Sequence, residues 1–215
     1  MEQEKNKPWA FSRRAFCDGM RDGFPIALGY FAVAFSLGIA ARHAGFTPMQ
    51  GFWASLLNNA SAGEYAAFTL IAAKATYWEV AVITLIANAR YLLMSCALAQ
   101  RFAPGTPFWH RLVIGYDVTD ELFGITIARP GHLNPYYTYG AILLAAPGWA
   151  VGTALGIMAG NALPLRVVSA LSVALYGMFL AIIIPPARKN HIIAGLVALS
   201  FALSLACNYL PGISA

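Results

Sequence analysis

Polar side chains that could do chemistry interrupt an otherwise apolar run between Pro48 and Ala73. Polar atoms in hydrocarbon cost several kcal/mol each unless they find partners or water. The pattern therefore predicts a substrate-binding site inside a membrane, on a helix broken between Asn58 and Glu64. The residues predicted to bind substrate in this run are Asn58, Asn59, Ser61, Gly63, Glu64 and Tyr65.

Glu64 has two interpretations. Near the end of a broken helix, it would cap that helix or reach water. At the centre of a run, it would take up a proton or pair with a cationic group, because burial disfavours the charged form of a carboxylate. We favour the second interpretation. The amides of Asn58 and Asn59 and the hydroxyl of Ser61 suit a zwitterion's carboxylate or the open backbone of a broken helix, and equally well ordinary hydrogen bonds between helices.

A second polar pair, Asn88 and Arg90, lies near the midpoint of the apolar run from Val80 to Leu98. Arginine keeps its charge at any accessible pH. At this depth it needs a carboxylate, a water-filled cavity or an anionic substrate group. Glu64 is the expected partner, and both members of the pair are predicted to take part in substrate binding. They lie two residues apart and do not share a helix face, so we expect different roles.

Three carboxylates form the third cluster, within the segment from Leu112 to Ala128. On one helix, Asp117 would share a face with Asp120 and with Glu121. If the segment crosses the membrane, that face lines a polar cavity and serves proton coupling or gating together with Glu64. If the segment lies at the surface, the acids face water. No other spacing in the chain supports a metal site.

Composition identifies the class of protein. The chain has 59% hydrophobic and 11% charged residues, against about 25% charged in a soluble domain. The net charge of +5 comes from short basic clusters between apolar runs, which is typical of membrane proteins and not of nucleic-acid binding. Phosphate-loop, metal-ligand and nucleophile motifs are missing. We therefore expect an all-α integral membrane protein that is not an enzyme and needs no cofactor.

The apolar runs predict two three-helix repeats joined by a linker helix. Residues 1–22 are a polar tail, 23–100 the first repeat, 101–132 the linker with its acidic helix, and 133–211 the second repeat. The repeat depends on a weak echo of Phe35–Ala40 in Thr153–Met158, followed by Ala162–Pro164 echoing Phe46–Pro48. About seven transmembrane helices result, or six if the linker does not cross.

The distribution of Lys and Arg tests these topologies. Six spans leave seven basic residues inside and six outside, whereas seven spans give nine against four. A re-entrant hairpin in place of the second run gives ten against three, but it breaks the match between the repeats. The positive-inside rule favours the last two plans. We prefer seven spans, with the amino terminus in the cytoplasm.

Three motifs in order resemble the AzlC-like family, the large subunit of bacterial branched-chain amino-acid exporters. They are Ser61–Phe68, with small residues and aromatics, Asn88–Leu93, similar to an Asn-x-Arg-His motif, and Thr119–Phe123, similar to a Thr-Asp-Glu-x-Phe motif. Together with the order and length of the apolar runs, the resemblance covers roughly residues 20–210. The chain departs from the family at Glu64, where glutamine is usual, and at Tyr91, where histidine is usual.

The resemblance implies a secondary exporter of valine, leucine or isoleucine that works with a small AzlD-like membrane subunit. We therefore expect a multi-pass protein of the bacterial inner membrane that expels small amino acids by alternating access, coupled to protons. Arg90 would meet the substrate carboxylate and Glu64 its amine or the proton. Tyr65 and Phe68 would contact its apolar side chain. The alternative is a channel or a non-transporting assembly subunit.

Overall fold

A computed structural model of the chain describes residues 7–159, 166, 180, 184–185, 187–188 and 190–209. Within these ranges the regular structure is helical, apart from an isolated β-bridge between Phe102 and Leu133. The all-α prediction is thus confirmed for the described residues. The helices are α1 (Arg13–His43), α2 (Pro48–Asn58), α3 (Ser61–Ala72), α4 (Tyr77–Ala87), α5 (Arg90–Ala99), α6 (Phe108–Tyr116), α7 (Asp120–Ile127), α8 (Pro135–Ala159) and α9 (His191–Tyr209).

Helix α1 begins well inside the segment expected to be a polar tail. The hydroxyl of Ser12 accepts a hydrogen bond from the Ala15 N–H at 3.2 Å, which satisfies one of the free donors at the helix start. Residues 13–22 are therefore the first turns of a 31-residue helix. Pro25 lies within that helix and not in its first turn.

Helices α1 and α8 lie side by side and run in the same direction. A Cβ atom built on Gly23 would be 2.7 Å from the Cα of Ala141, and one built on Gly38 would be 2.8 Å from the Cα of Gly156. The residue numbers at the contacts therefore increase together along both helices, as they do for parallel helices. Backbones approach this closely only where small residues face each other. We call this contact the glycine seam.

The run from Pro48 to Ala73 forms a hairpin, in which α2 and α3 run in opposite directions. Phe68, in α3, packs against Phe46, which precedes α2, with ring centroids 5.0 Å apart. Both ends of the run thus lie at the carboxyl end of α1. The predicted break is confirmed, at Asn59 and Ala60. Helices of 11 and 12 residues span only about 17 Å each, so neither is long enough to cross a bilayer by itself, and the preferred crossing of this run stays a prediction.

The third apolar run is also broken. Helix α4 ends at Ala87 and α5 begins at Arg90, with a bend of 49° between them. Asn88 follows α4 as its C-cap and Ala89 completes the break. The polar pair predicted at the centre of one helix therefore lies at the junction of two.

The segment from Leu112 to Ala128 is a second hairpin and not a single crossing helix. The helix stops at Tyr116 and restarts at Asp120, and neither part is long enough to cross a bilayer. The Leu133 N–H donates to the Arg101 carbonyl at 2.8 Å, so the chain before the hairpin lies next to the chain after it. The Asn134 side chain binds the carbonyl of Pro8, which places that base near the amino end of α1. The linker thus contains two short helices in place of the single one expected, and the second, α7, carries Asp120 and Glu121.

In the described part of the chain, two helices, α1 and α8, are long and apolar enough to cross a membrane alone, and the bent pair α4–α5 would be a third. Helix α9 belongs to a separate compact unit, residues 176–215. Much of the expected second repeat, residues 133–211, lies outside the described residues, as does the echo of Phe46–Pro48 at Ala162–Pro164. The two-repeat architecture stays a prediction, although Gly38 and Gly156, equivalent in the echo, do contact each other across the glycine seam.

Candidate functional site

The two hairpins enter from opposite ends of α1 and meet at a narrow polar cavity. Its volume is about 10 Å³, which is room for about one water molecule. Four of its residues were predicted from sequence as substrate or coupling residues, and the other four were not. The cavity is lined by Tyr30, Asn59, Ser61, Tyr91, Thr119, Asp120, Glu121 and Trp149.

The turn between α2 and α3 presents the start of a helix to this cavity. Asn59 adopts a left-handed conformation with φ of 41°, which asparagine tolerates better than most residues. Ala60 then precedes α3 and cannot cap it, so the first N–H groups of α3 have no capping side chain. These donors, together with the positive end of the helix dipole, favour an anionic group beside Ser61.

The turn between α6 and α7 brings acidic groups to the same cavity. The Thr119 hydroxyl caps α7 by accepting from the Leu122 N–H at 3.3 Å, and Asp120 and Glu121 occupy the first turn. The hydroxyl of Tyr30, on α1, donates to Glu121 Oε2 at 2.7 Å. Helix α7 therefore carries its own anions at its start, and this side of the cavity suits a cationic group.

Direct hydrogen bonds join the tips of the two hairpins. Asn59 Nδ2 donates to Asp117 Oδ1 at 2.6 Å, and both residues are only 6% exposed. The Tyr116 hydroxyl donates to the Leu57 carbonyl at 2.6 Å. We call the Asn59–Asp117 contact the tip joint. It was not foreseen, because sequence spacing placed Asp117 on one helix face with the other acids.

Glu64 lies one layer behind the cavity and does not contact Arg90. It is 1% exposed and accepts hydrogen bonds from the Ser55 hydroxyl and, at 2.6 Å, from Trp149 Nε1. Ser55 also bonds to the Thr153 hydroxyl at 2.7 Å. The expected Glu64–Arg90 pair is therefore wrong: Glu64 supports the cavity wall through Trp149.

Arg90 pairs with Asp120 instead. The distance from Arg90 Nη2 to Asp120 Oδ2 is 2.9 Å, and the side chains are 44% and 24% exposed. The guanidinium also lies 5.2 Å from the centre of the Tyr91 ring. Arg90 thus stands at the break between α4 and α5, at the entrance to the acidic side of the cavity.

The remaining predicted residues also lie outside the cavity. Tyr65 is 56% exposed, and Phe68 packs beside Phe46, so neither is placed to contact a bound substrate. Asn88 covers Gly63, where an added Cβ would be 2.5 Å from Asn88 Nδ2. Asn58 is half-buried beside the tip joint. Within the described part of the chain, acidic and His or Cys side chains form no group that could hold a metal ion.

Sequence reasoning missed the aromatic walls, Tyr30 and Trp149. Both place a polar group at the end of a large apolar side chain inside a span, which is the signal that could have found them. Their rings meet edge to face with centroids 5.2 Å apart. Ser55 and Thr153 carried no such signal, because hydroxyls in spans commonly bond to neighbouring helices.

The Arg90–Asp120 contact predicts a measurable coupling between the two side chains. Arg90→Gln and Asp120→Asn should each lower the thermal stability of the purified protein, and the double variant should lose less than the sum. For a half-exposed pair the coupling energy is about 1 kcal/mol or below. Unfolding in detergent measures it as a double-mutant cycle. Additive losses would contradict the contact.

The fold and the site define an integral membrane protein in which two helical hairpins meet at a buried polar cavity. Residues 25–163, which include every residue lining that cavity, match the family model described as AzlC protein, and the chain belongs to this family. The resemblance found in the three motifs is thereby confirmed.

Known relatives are membrane proteins. The chain is 32% identical over 194 residues to an uncharacterized membrane protein of Archaeoglobus fulgidus, covering 87% of this chain and 85% of the relative. It is 25% identical over 152 residues to the inner membrane protein YgaZ of Escherichia coli, covering 69% of this chain and 62% of YgaZ. An uncharacterized membrane protein of Helicobacter pylori is 25% identical over 153 residues, covering 68% of this chain and 66% of that protein. No solved structure matches the chain.

Proposed function

We propose that this protein is a secondary transporter that exports small, branched-chain amino acids by alternating access, coupled to protons. The observation that carries the proposal is the meeting of two helix starts, those of α3 and α7, at one interior polar cavity. Broken helices with their ends at a central site are a common way for transporters to bind charged substrates.

The two helix starts differ in a way that suits a zwitterion. The uncapped start of α3, beside Ser61, would receive the substrate carboxylate. The capped start of α7 carries Asp120 and Glu121, which would receive the ammonium group. Arg90, which is paired with Asp120, would change the net charge of the acidic side of the cavity as substrate enters. The cavity is narrow, so binding requires the hairpins to move apart.

The hairpins also support an orientation in the membrane. If both return without crossing, α1, α4–α5 and α8 are the crossings, and α1 and α8 run in the same direction as observed. Among residues 7–159, and apart from Arg90 within the α4–α5 crossing, the Lys and Arg residues then number seven on the amino-terminal side of α1 and two on the other. By the positive-inside rule the amino terminus faces the cytoplasm. The seven are Lys7, Arg13, Arg14, Arg21, Arg101, Arg111 and Arg129, and the two are Arg42 and Lys74.

The proposal includes a location and a partner. The protein would act in the bacterial inner membrane with a small AzlD-like membrane subunit, as the family resemblance implies. Proton coupling would run through the carboxylates near the cavity, which are Glu64, Asp117, Asp120 and Glu121.

Transport into inverted membrane vesicles tests the function. Vesicles containing the protein and its small partner should accumulate labelled leucine when a proton gradient is present, and a protonophore should abolish the uptake. The amine and the acid that each lack one charge, 3-methylbutylamine and 4-methylpentanoate, should compete at least about tenfold more weakly than leucine, because each leaves one charged group of the site without its partner.

Two variants control this experiment. Asp120→Asn should reduce uptake strongly, whereas Glu79→Gln, at an exposed carboxylate remote from the cavity, should not. Uptake equal to that of empty vesicles for every amino acid of a panel, with the partner present, would contradict the proposed function.

A further inference from the structure

The tip joint buries the carboxylate of Asp117, which forms no ion pair with a described residue. Asp117 Oδ1 accepts from Asn59, but Asp117 Oδ2 has no hydrogen-bond partner among the described residues. The ion pairs found in the same part of the chain, Arg90–Asp120 and Arg129–Asp18, do not include it. A buried carboxylate is strongly disfavoured unless it is paired, protonated or bound to a cation.

A second acceptor lies at the same joint. Asn59 Oδ1 is also buried without a partner among the described residues, and Asn59 lines the cavity. The joint therefore offers two acceptor oxygens, one of them on an anionic group, at a break between helices. Carboxylate and amide oxygens at helix breaks are the surroundings in which transporters hold Na⁺ or protons.

The other carboxylates near the cavity are already engaged. Both oxygens of Glu64 accept hydrogen bonds, from Ser55 and Trp149. Asp120 is paired with Arg90, and Glu121 accepts from Tyr30. Asp117 is thus the carboxylate in this group whose surroundings most require an added positive charge.

We propose that Asn59 and Asp117 form a binding site for a small monovalent cation, either a proton or Na⁺. The joint connects the tips of the α2–α3 and α6–α7 hairpins, so its occupancy is linked to whether the hairpins touch. Cation binding would stabilise the touching state and hold the cavity closed. In the transporter this makes the tip joint the coupling site. That coupling role rests on the proposed export function, whereas cation binding does not.

Other titratable groups face the tip joint and must be separated from it. Tyr30 on α1, Tyr91 on α5, and Asp120 and Glu121 on α7 line the cavity together with Asn59, and Arg90 is paired with Asp120. Each keeps a partner when Asp117 is changed, so a response lost in Asp117→Asn alone belongs to the joint.

The melting temperature of the purified protein in detergent tests the proposal. In one arm, Na⁺ replaces N-methylglucamine at constant ionic strength, and in the other, pH varies between 8.5 and 5.5. We expect one of these to raise the melting temperature of the wild type, because a ligand that binds only the folded state stabilises it. Asp117→Asn should remove that response, and Glu64→Gln should retain it.

A second variant keeps the test decisive if Asp117→Asn does not fold. Asn59→Gly preserves the left-handed turn and removes one acceptor, so it should weaken the apparent cation affinity about tenfold. A wild type that responds to neither Na⁺ nor pH, or an Asp117→Asn variant that responds as the wild type does, would overturn the site.

The outcome is independent of export. A cation response without amino-acid transport would support the site and contradict the proposed function. Proton-coupled transport by a protein whose melting temperature responds to neither Na⁺ nor pH would support the proposed function and contradict the site.

Discussion

Replacing Glu64 with leucine is expected to lower the stability of the protein by about 1–3 kcal/mol. The Ser55 hydroxyl and the Trp149 indole N–H both donate to this carboxylate inside the fold. Leucine would leave the Trp149 N–H buried without an acceptor, whereas the Ser55 hydroxyl would still have Thr153 as an acceptor. The loss is measured as a fall in unfolding free energy in detergent.

Glutamine at the same position is the matched control. Its carbonyl oxygen can accept from Trp149, and its amide can donate to Ser55, which still bonds to Thr153. We therefore expect Glu64→Gln to fold and to retain most of the stability. Combining Glu64→Leu with Trp149→Phe should recover part of the loss, because one orphaned donor disappears with its partner. Equal stability of the leucine and glutamine variants would refute this role for Glu64.

Substitution of Gly23 by leucine should prevent the protein from assembling. Its added Cβ would be 2.7 Å from the Cα of Ala141, so the obstacle is backbone and cannot rotate away. Overpacking of cores typically destabilises by about 1–3 kcal/mol, and more when the backbone must shift. Because α1 and α8 hold the outer ends of both hairpins, separation of the seam would disrupt the cavity as well.

The control for the glycine seam is Gly195 in α9. No atom lies within 4 Å of a Cβ built there among the described residues, so Gly195→Leu should be tolerated. Size-exclusion profiles and melting temperatures of the two variants in detergent measure the difference. A monodisperse Gly23→Leu protein that melts near the wild-type temperature would show that the seam is not tightly packed.

The break in the second run illustrates how far the sequence leads. Asn58 to Glu64 are too polar for an uninterrupted span, and this local property correctly predicted a break between them, which the structure has at Asn59 and Ala60. Whether the chain then continues or returns depends on what the later residues pack against. Phe68 returns to Phe46, and no local pattern specifies that contact.

The pairing of charges shows the same limit. The sequence required a partner for Arg90, and Glu64 at similar depth was the reasonable choice. The fold supplies Asp120, because the second hairpin brings α7 to the break between α4 and α5. Glu64 instead faces Trp149, on a helix that lies 85 residues away along the chain. Depth in a span constrains a partner, but the rotation of each helix selects it.

By itself, the sequence determined that this is an all-α membrane protein of the AzlC family with a helix break between Asn58 and Glu64. These properties follow from hydropathy, residue types and short motifs, which are local. The tertiary structure decided that two runs fold back as hairpins, that their tips meet at Asn59 and Asp117, and that Tyr30 and Trp149 form the cavity walls. Those outcomes depend on close packing, along the glycine seam, between helices that are distant in sequence. Local composition does not specify which helices contact each other.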